Sequence, residues 1–194
     1  MVAKLIYESQ DFNGFTKERA LAERARTQLL NEKLLACPFI EYHQSGYESI
    51  IDKTYGTNYV NAKGETAYLN IMYVSPQFFQ MFDIDIEEGA IPEKSGRNIY
   101  VLNRAAMKAM NFSSLEEAAV VEDNRKRKDA NAPMEPIVAV VKDYYNGHLS
   151  AGAAPIIYNV SGSGGPRHQI AFPEGKKQDL LNYLKKTMKE VYGA

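Results

Sequence analysis

The sequence predicts an α+β protein of two lobes, and three observations lead there. Each end carries a strand and a long helical pattern. Val2 to Tyr7 precedes a helix from Lys17 to Ala36, and His168 to Phe172 precedes one from Lys176 to Tyr192. The middle holds short β-branched or aromatic runs at Ala67 to Val74, Asn98 to Leu102, Pro136 to Asp143 and Pro155 to Val160. Turn-rich stretches, Gly46 to Gly64 and Ser161 to Pro166, lie between the ends and the middle. The expected division is therefore one βαβ-like lobe from residues 1–54 with 161–194, its two helices on one face of a small sheet. Residues 55–160 form a mixed α/β lobe inserted between them.

Each element has its own signal. After the first strand, Asp11-Phe-Asn-Gly14 is turn chemistry and Thr16 is placed to cap the first helix. Leu21, Ala25, Leu29, Leu30 and Leu34 form its expected apolar stripe. Pro38 ends it, and Phe39 to Ser45 reads as a strand. Gly46 to Gly64 reads as irregular, with its Asn and Gly residues as turns. In Ala67 to Val74 nearly every residue is apolar or aromatic, the pattern of a strand buried on both faces or covered by a helix on one. Ser75 is the expected N-cap and Pro76 the first residue of a short helix bearing Phe78, Phe79, Met81 and Phe82. Alternation resumes at Asp83, with Ile84 and Ile86 on one face, and Gly89 breaks it. Asn103 caps a helix from Arg104 to Met110, and Asn111 is a left-handed stop. Ser113 and the glutamates after it form a capping box, and Asp123 to Pro133 reads as a solvated hairpin tip. The last helix places Leu180, Leu181, Leu184, Met188 and Val191 on one face.

Composition excludes several classes. With 45% apolar and 24% charged residues in 194, the chain is globular rather than disordered. A net charge of −1 lacks the basic excess of a nucleic-acid binder. Cys37 is the one cysteine, so no intramolecular disulfide forms; it reads as a small buried hydrophobe, and a lone thiol suits a reducing compartment. No stretch approaches the ~18 apolar residues of a membrane helix.

A search for chemistry finds no catalytic, cofactor or metal constellation. His43, His148 and His168 lack a second His or Cys at ligand spacing, so a metal site would need convergence by folding. Arg125-Lys-Arg-Lys128 could meet phosphate, but its acidic flanks make it a solvated turn. Ser161-Gly-Ser-Gly-Gly-Pro166 lacks the Lys-Ser/Thr of a phosphate loop. Asp143, at the end of a buried strand, is either a general base or a carboxylate that caps the following turn. An enzyme would gather Asp143, Tyr144 and His148 in a cleft between the lobes. The 13 tyrosines could mark a binding face or be scattered singly.

One ordered set of segments is more specific. Val74-Ser-Pro-Gln-Phe-Phe79 with Phe82 and Ile84 leads to Glu88-Gly89, then Val101-Leu-Asn-Arg-Ala-Ala106, Ile137 to Asp143 and Ala154-Pro-Ile-Ile-Tyr158. In order and spacing this resembles the periplasmic core domain of MacB-like and FtsX-like ABC transporter permeases, over most of the chain from about residue 30. Ala139 stands where that family usually has glycine, and Ala90-Ile91 replaces an arginine-aromatic pair. The resemblance implies a membrane-proximal, porter-like lobe from both chain ends and a distal, sabre-like inserted lobe. It implies a non-catalytic extracytoplasmic domain at the inner membrane, without cofactors, that relays ATP-driven movement of the membrane helices. Those helices would precede Met1 and follow Ala194. A second permease copy, a cytoplasmic ATPase and a periplasmic adaptor or envelope partner are the implied partners. A soluble enzyme and an extracytoplasmic ligand sensor are the alternatives.

Overall fold

The structure is a computed structural model that describes residues 2–6, 16–46, 55–92, 99–144, 152–160 and 167–193. The expected turn at Asp11 to Gly14, the loop holding His148 and the Ser161 to Pro166 connection lie outside the described residues. The chain divides into two compact units, Met1–Tyr47 with Ser163–Ala194, and Glu48–Gly162.

In the terminal unit, β1 (Val2–Ile6) and β2 (Tyr42–Gly46) flank β10 (Arg167–Ala171), each antiparallel to it. The first two strands are thus parallel, joined by the helix α1 (Lys17–Leu35), with the late strand lying between them. Thr16 caps α1 by accepting the Arg19 N–H at 3.3 Å. The core joins Leu30, Leu34 and Cys37 to Ile170, Phe172 and, from α5 (Lys177–Tyr192), Leu180, Leu184 and Val191. Leu21 and Leu29 are 55% and 42% exposed, so the expected stripe on α1 does not hold together. At about 100° per residue, Leu30 lies roughly 180° round the helix from Leu21. Leu181 likewise lies outside the Leu180–Leu184–Val191 row. The second strand begins three residues after its expected start, since the chain from Cys37 to Ile40 is still turning: the Ile40 N–H reaches the Cys37 carbonyl at 3.2 Å.

The central unit has a seven-stranded mixed sheet. Its strands are β3 (Gly56–Asn61), β4 (Thr66–Val74), β5 (Ile86–Gly89), β6 (Ile99–Asn103), β7 (Ala119–Glu122), β8 (Glu135–Val141) and β9 (Ile156–Val160). Their order is β5-β8-β6-β9-β4-β3-β7, and β7 also pairs with the start of β8, so the pairings close into a ring. Along β4, Leu69 and Ile71 face one core while Met72 and Val74 face the other. Coverage on both faces is why these strands read as continuous apolar runs. One face receives α2 (Gln77–Met81) through Phe78 and Phe79, which pack on Tyr158. The other receives α3 (Arg104–Ala109) through Ala106 and Met107.

Several expectations are corrected here. The N-cap of α2 is Pro76, with no side-chain cap, and the Ser75 carbonyl accepts from Phe78 at 3.1 Å. A five-residue helix of this kind is held by its packing rather than by its cap. Asp83 takes a left-handed φ of 53°, a conformation Asp tolerates, and this turns Ile84 into the core while Ile86 stays 46% exposed. The strand β3 crosses a region read as irregular. Antiparallel pairing with β4 overrides its weak local signal, and Gly56 lets the Tyr68 ring lie against its backbone. Ser113 starts no helix; its N–H donates to the Glu117 carboxylate within a turn. The basic run forms the short helix α4 (Asp123–Lys128) in place of a plain hairpin tip, with Arg127 on Asp123 at 2.6 Å and Arg125 on Glu135 at 3.2 Å.

Candidate functional site

Among the described residues of the central unit, a buried polar arrangement lies where β6 and β8 end and β9 begins. Asn103, fully buried, is the N-cap of α3: its Oδ1 accepts from Ala106 at 2.9 Å and from Ile156 at 2.8 Å. Its Nδ2 donates to the Ala154 carbonyl at 2.8 Å. Asp143 adds a second acceptor, taking the Ala105 N–H at 2.9 Å. The carboxylate singled out in the sequence is thus a helix cap for α3, and the turn expected after it lies outside the described residues. Its neighbour Tyr144 packs on the apolar cluster around Phe78 and Tyr158. Arg104 bridges Glu87 and Glu88 of β5, the latter at 2.6 Å, and so ties α3 to the edge strand. Tyr158 is buried in that cluster; burial first, then the nearby Asp143 and Tyr144, raise its hydroxyl above the ordinary tyrosine range. These groups hold a helix, two strand ends and a loop in register.

A second cluster is aromatic. The Tyr55 hydroxyl donates to that of Tyr73 at 3.1 Å, with the rings 6.4 Å apart. Tyr59 and Tyr100 belong to the same cluster, and burial raises both hydroxyls. Tyr68 is spent on Gly56, so these tyrosines are a mixture of core and local cover.

In the terminal unit, folding joins two histidines that the sequence leaves apart. His43 and His168, 125 residues distant in sequence, stand with Nε2 of the first 2.8 Å from Nδ1 of the second. Their rings stack at 5.1 Å and 13°. Burial lowers both to about 4, helped at His43 by the neighbouring His168. No local pattern could have announced the pair, because antiparallel register alone creates it. Among the described residues no group of three or more His, Cys, Asp or Glu could hold a metal ion. Cys37 is buried in the terminal core, and burial raises its thiol above the usual range. Among the described residues no helix is long and apolar enough to cross a membrane.

No protein-family model matches the sequence, and no curated protein matches it. Solved structures do match the fold. The periplasmic region of MacB from Actinobacillus actinomycetemcomitans superposes with a TM-score of 0.60 at 15% identity, covering 86% of this chain and 74% of that one. The extracellular domain of the ABC-type transporter YknZ from Gram-positive bacteria gives 0.56 at 11% identity, over 97% and 88%. A domain assigned to a permease protein of Porphyromonas gingivalis gives 0.53 at 13% identity, over 80% and 74%. The α+β fold is that of MacB-like periplasmic domains.

Proposed function

We propose that this chain is the extracytoplasmic domain of a MacB/FtsX-type ABC transporter permease subunit, relaying ATP-driven movement of membrane helices to periplasmic partners or substrate. The observation that carries the reading is the fold: three domains of transporters or permeases share it over 80–97% of this chain. The terminal unit is the membrane-proximal lobe, continuous with membrane helices at both ends, and the central unit is the distal one. In the full assembly the permease pairs with a second copy and with a cytoplasmic ATPase, and the distal lobe meets an adaptor or envelope partner. The domain is non-catalytic on this reading. What supports that is the use of the Asn103 oxygen and of one Asp143 oxygen as backbone caps of α3. A relay of this kind works through packed units that shift between discrete arrangements, so it needs no reacting site.

Placement is tested by thiol labelling in cells that make the protein with its flanking membrane helices. Leu21→Cys and Leu181→Cys put thiols at exposed positions, while buried Cys37 keeps the background low. A membrane-impermeant maleimide is expected to label both once the outer membrane is permeabilised; labelling only after lysis overturns the placement. For the relay, spin labels at Leu21 and Tyr68, both exposed, are expected to change separation on nucleotide binding. Distances indifferent to nucleotide would sink the relay and leave the placement standing.

A further inference from the structure

In the central unit β3, β4, β6, β7, β8 and β9 close a ring, and each sends a side chain into one apolar cluster: Tyr59, Leu69, Leu102, Val120, Ile137 and Ile157. That cluster is therefore the inside of the ring. Its two ends differ. At one, α3 follows β6 and covers the interior through Ala106 and Met107. The other, where β4 and β9 finish and β6 starts, is lined by tyrosines. Tyr73 and Tyr100 are the ladder partners of Asn159 on either side, and the Tyr55 ring stacks on Tyr73. Asn159, two residues after Ile157, shares its inner face. It is 6% exposed, and no hydrogen-bond donor meets its buried amide oxygen. Glu122 stands opposite Tyr59 on the same rim.

We propose that this end of the ring is a binding site for a nitrogen cation that donates hydrogen bonds, an alkylammonium or guanidinium group, with Asn159 as its acceptor, Glu122 as its counter-charge and the rings of Tyr73 and Tyr100 as its walls.

The groups that converge here ask for one chemistry. A buried carbonyl oxygen without a donor is costly to the fold, and a ligand N–H offsets that cost. Tyrosine rings attract cations through their π faces. Glu135 is engaged by Arg125 at 3.2 Å and Asp123 by Arg127 at 2.6 Å, which leaves Glu122 without an ion pair among the described residues. The local field is negative: after burial, Glu135 and Glu122 raise the Tyr100 hydroxyl, and the opposing effect of Arg125 is smaller than either. An anion is repelled by that field, and a neutral alcohol or sugar leaves Glu122 unanswered. Tyr73 and Tyr100 are half-buried, so a turn of either ring opens the way to the oxygen. Barrel mouths are a common place for ligands, and this one lies within the central unit, independent of the permease assignment.

The test is a titration of the full chain followed by its amide and side-chain shifts, with n-butylammonium, n-butylguanidinium, n-butanol and N-acetyl-lysine methylamide as probes. Both n-butyl cations are expected to saturate shifts at Tyr73, Tyr100 and Asn159, with a Kd of about 1–10 mM for groups so small. n-Butanol should bind at least about tenfold more weakly. Glu122→Gln is expected to weaken the cations roughly three- to tenfold. Asn159→Leu should weaken them at least about tenfold without lowering the urea midpoint, because the oxygen it removes has no partner to lose. Blocked lysine binding as well as n-butylammonium assigns the cation to a partner's side chain; its exclusion assigns a free amine. Equal binding of n-butanol, or no saturable shift at these three residues, overturns the proposal, and that comparison needs no variant. Cation binding intact in Asn159→Leu overturns it as well.

Discussion

The carboxamide of Asn103 serves three backbone groups at once, the N–H groups of Ala106 and Ile156 and the carbonyl of Ala154. Losing it leaves buried donors and an acceptor without partners, so Asn103→Ala is expected to cost about 2–4 kcal/mol in urea unfolding. Asp143→Asn keeps an oxygen for the Ala105 N–H and should cost under about 1 kcal/mol. A large loss from Asp143→Asn, or a negligible one from Asn103→Ala, would contradict this division of labour. Asn103 as a cap was legible in the sequence because N-capping is a local rule. That Asp143 serves the same helix was not, since the two meet only through the parallel β6–β8 pairing. Gly89 lies between these cases. The sequence shows a break, but only the fold shows its cause: at a φ of 75° an added Cβ would meet the Val138 carbonyl at 2.2 Å.

Among the elements, α1 separates what periodicity reveals from what it hides. A spacing of four groups Leu21 with Ala25 and Leu29, and Leu30 with Leu34, but the two rows face opposite ways. Sequence located the helix and its cap; which row is buried depends on the sheet and helix that meet it. Leu34→Ala removes a fully buried side chain and should cost about 2–4 kcal/mol, whereas Leu21→Ala should stay within roughly 0.5 kcal/mol. Equal losses in thermal melts would mean that the exposed row is covered in solution. The strand β3 failed to register for the opposite reason. Its Gly and Asn residues carry turn signals, and only pairing to β4 and β7 makes it a strand. Asn61 does act as a turn residue, closing the β3–β4 hairpin through Lys63 and Glu65 at 2.9 Å each.

For the whole molecule, the asymmetry between the units lies in their connectivity. Every pairing of the terminal sheet joins an early strand to β10, so that sheet forms only after the chain closes a loop containing the whole central unit. Loop closure costs entropy that grows with the disordered length, and a central unit already folded shortens what must be ordered. Among the described residues, the strands of the central unit pair with one another alone: six close a ring, β5 adds to its edge at β8, and an apolar cluster packs on each face. Residues 55–160 made alone are therefore expected to fold, with dispersed amide resonances and a single cooperative urea transition. The two terminal segments, mixed without the central unit, should show neither. If 55–160 is disordered alone, the ring depends on the terminal segments, and the order of assembly argued here is reversed.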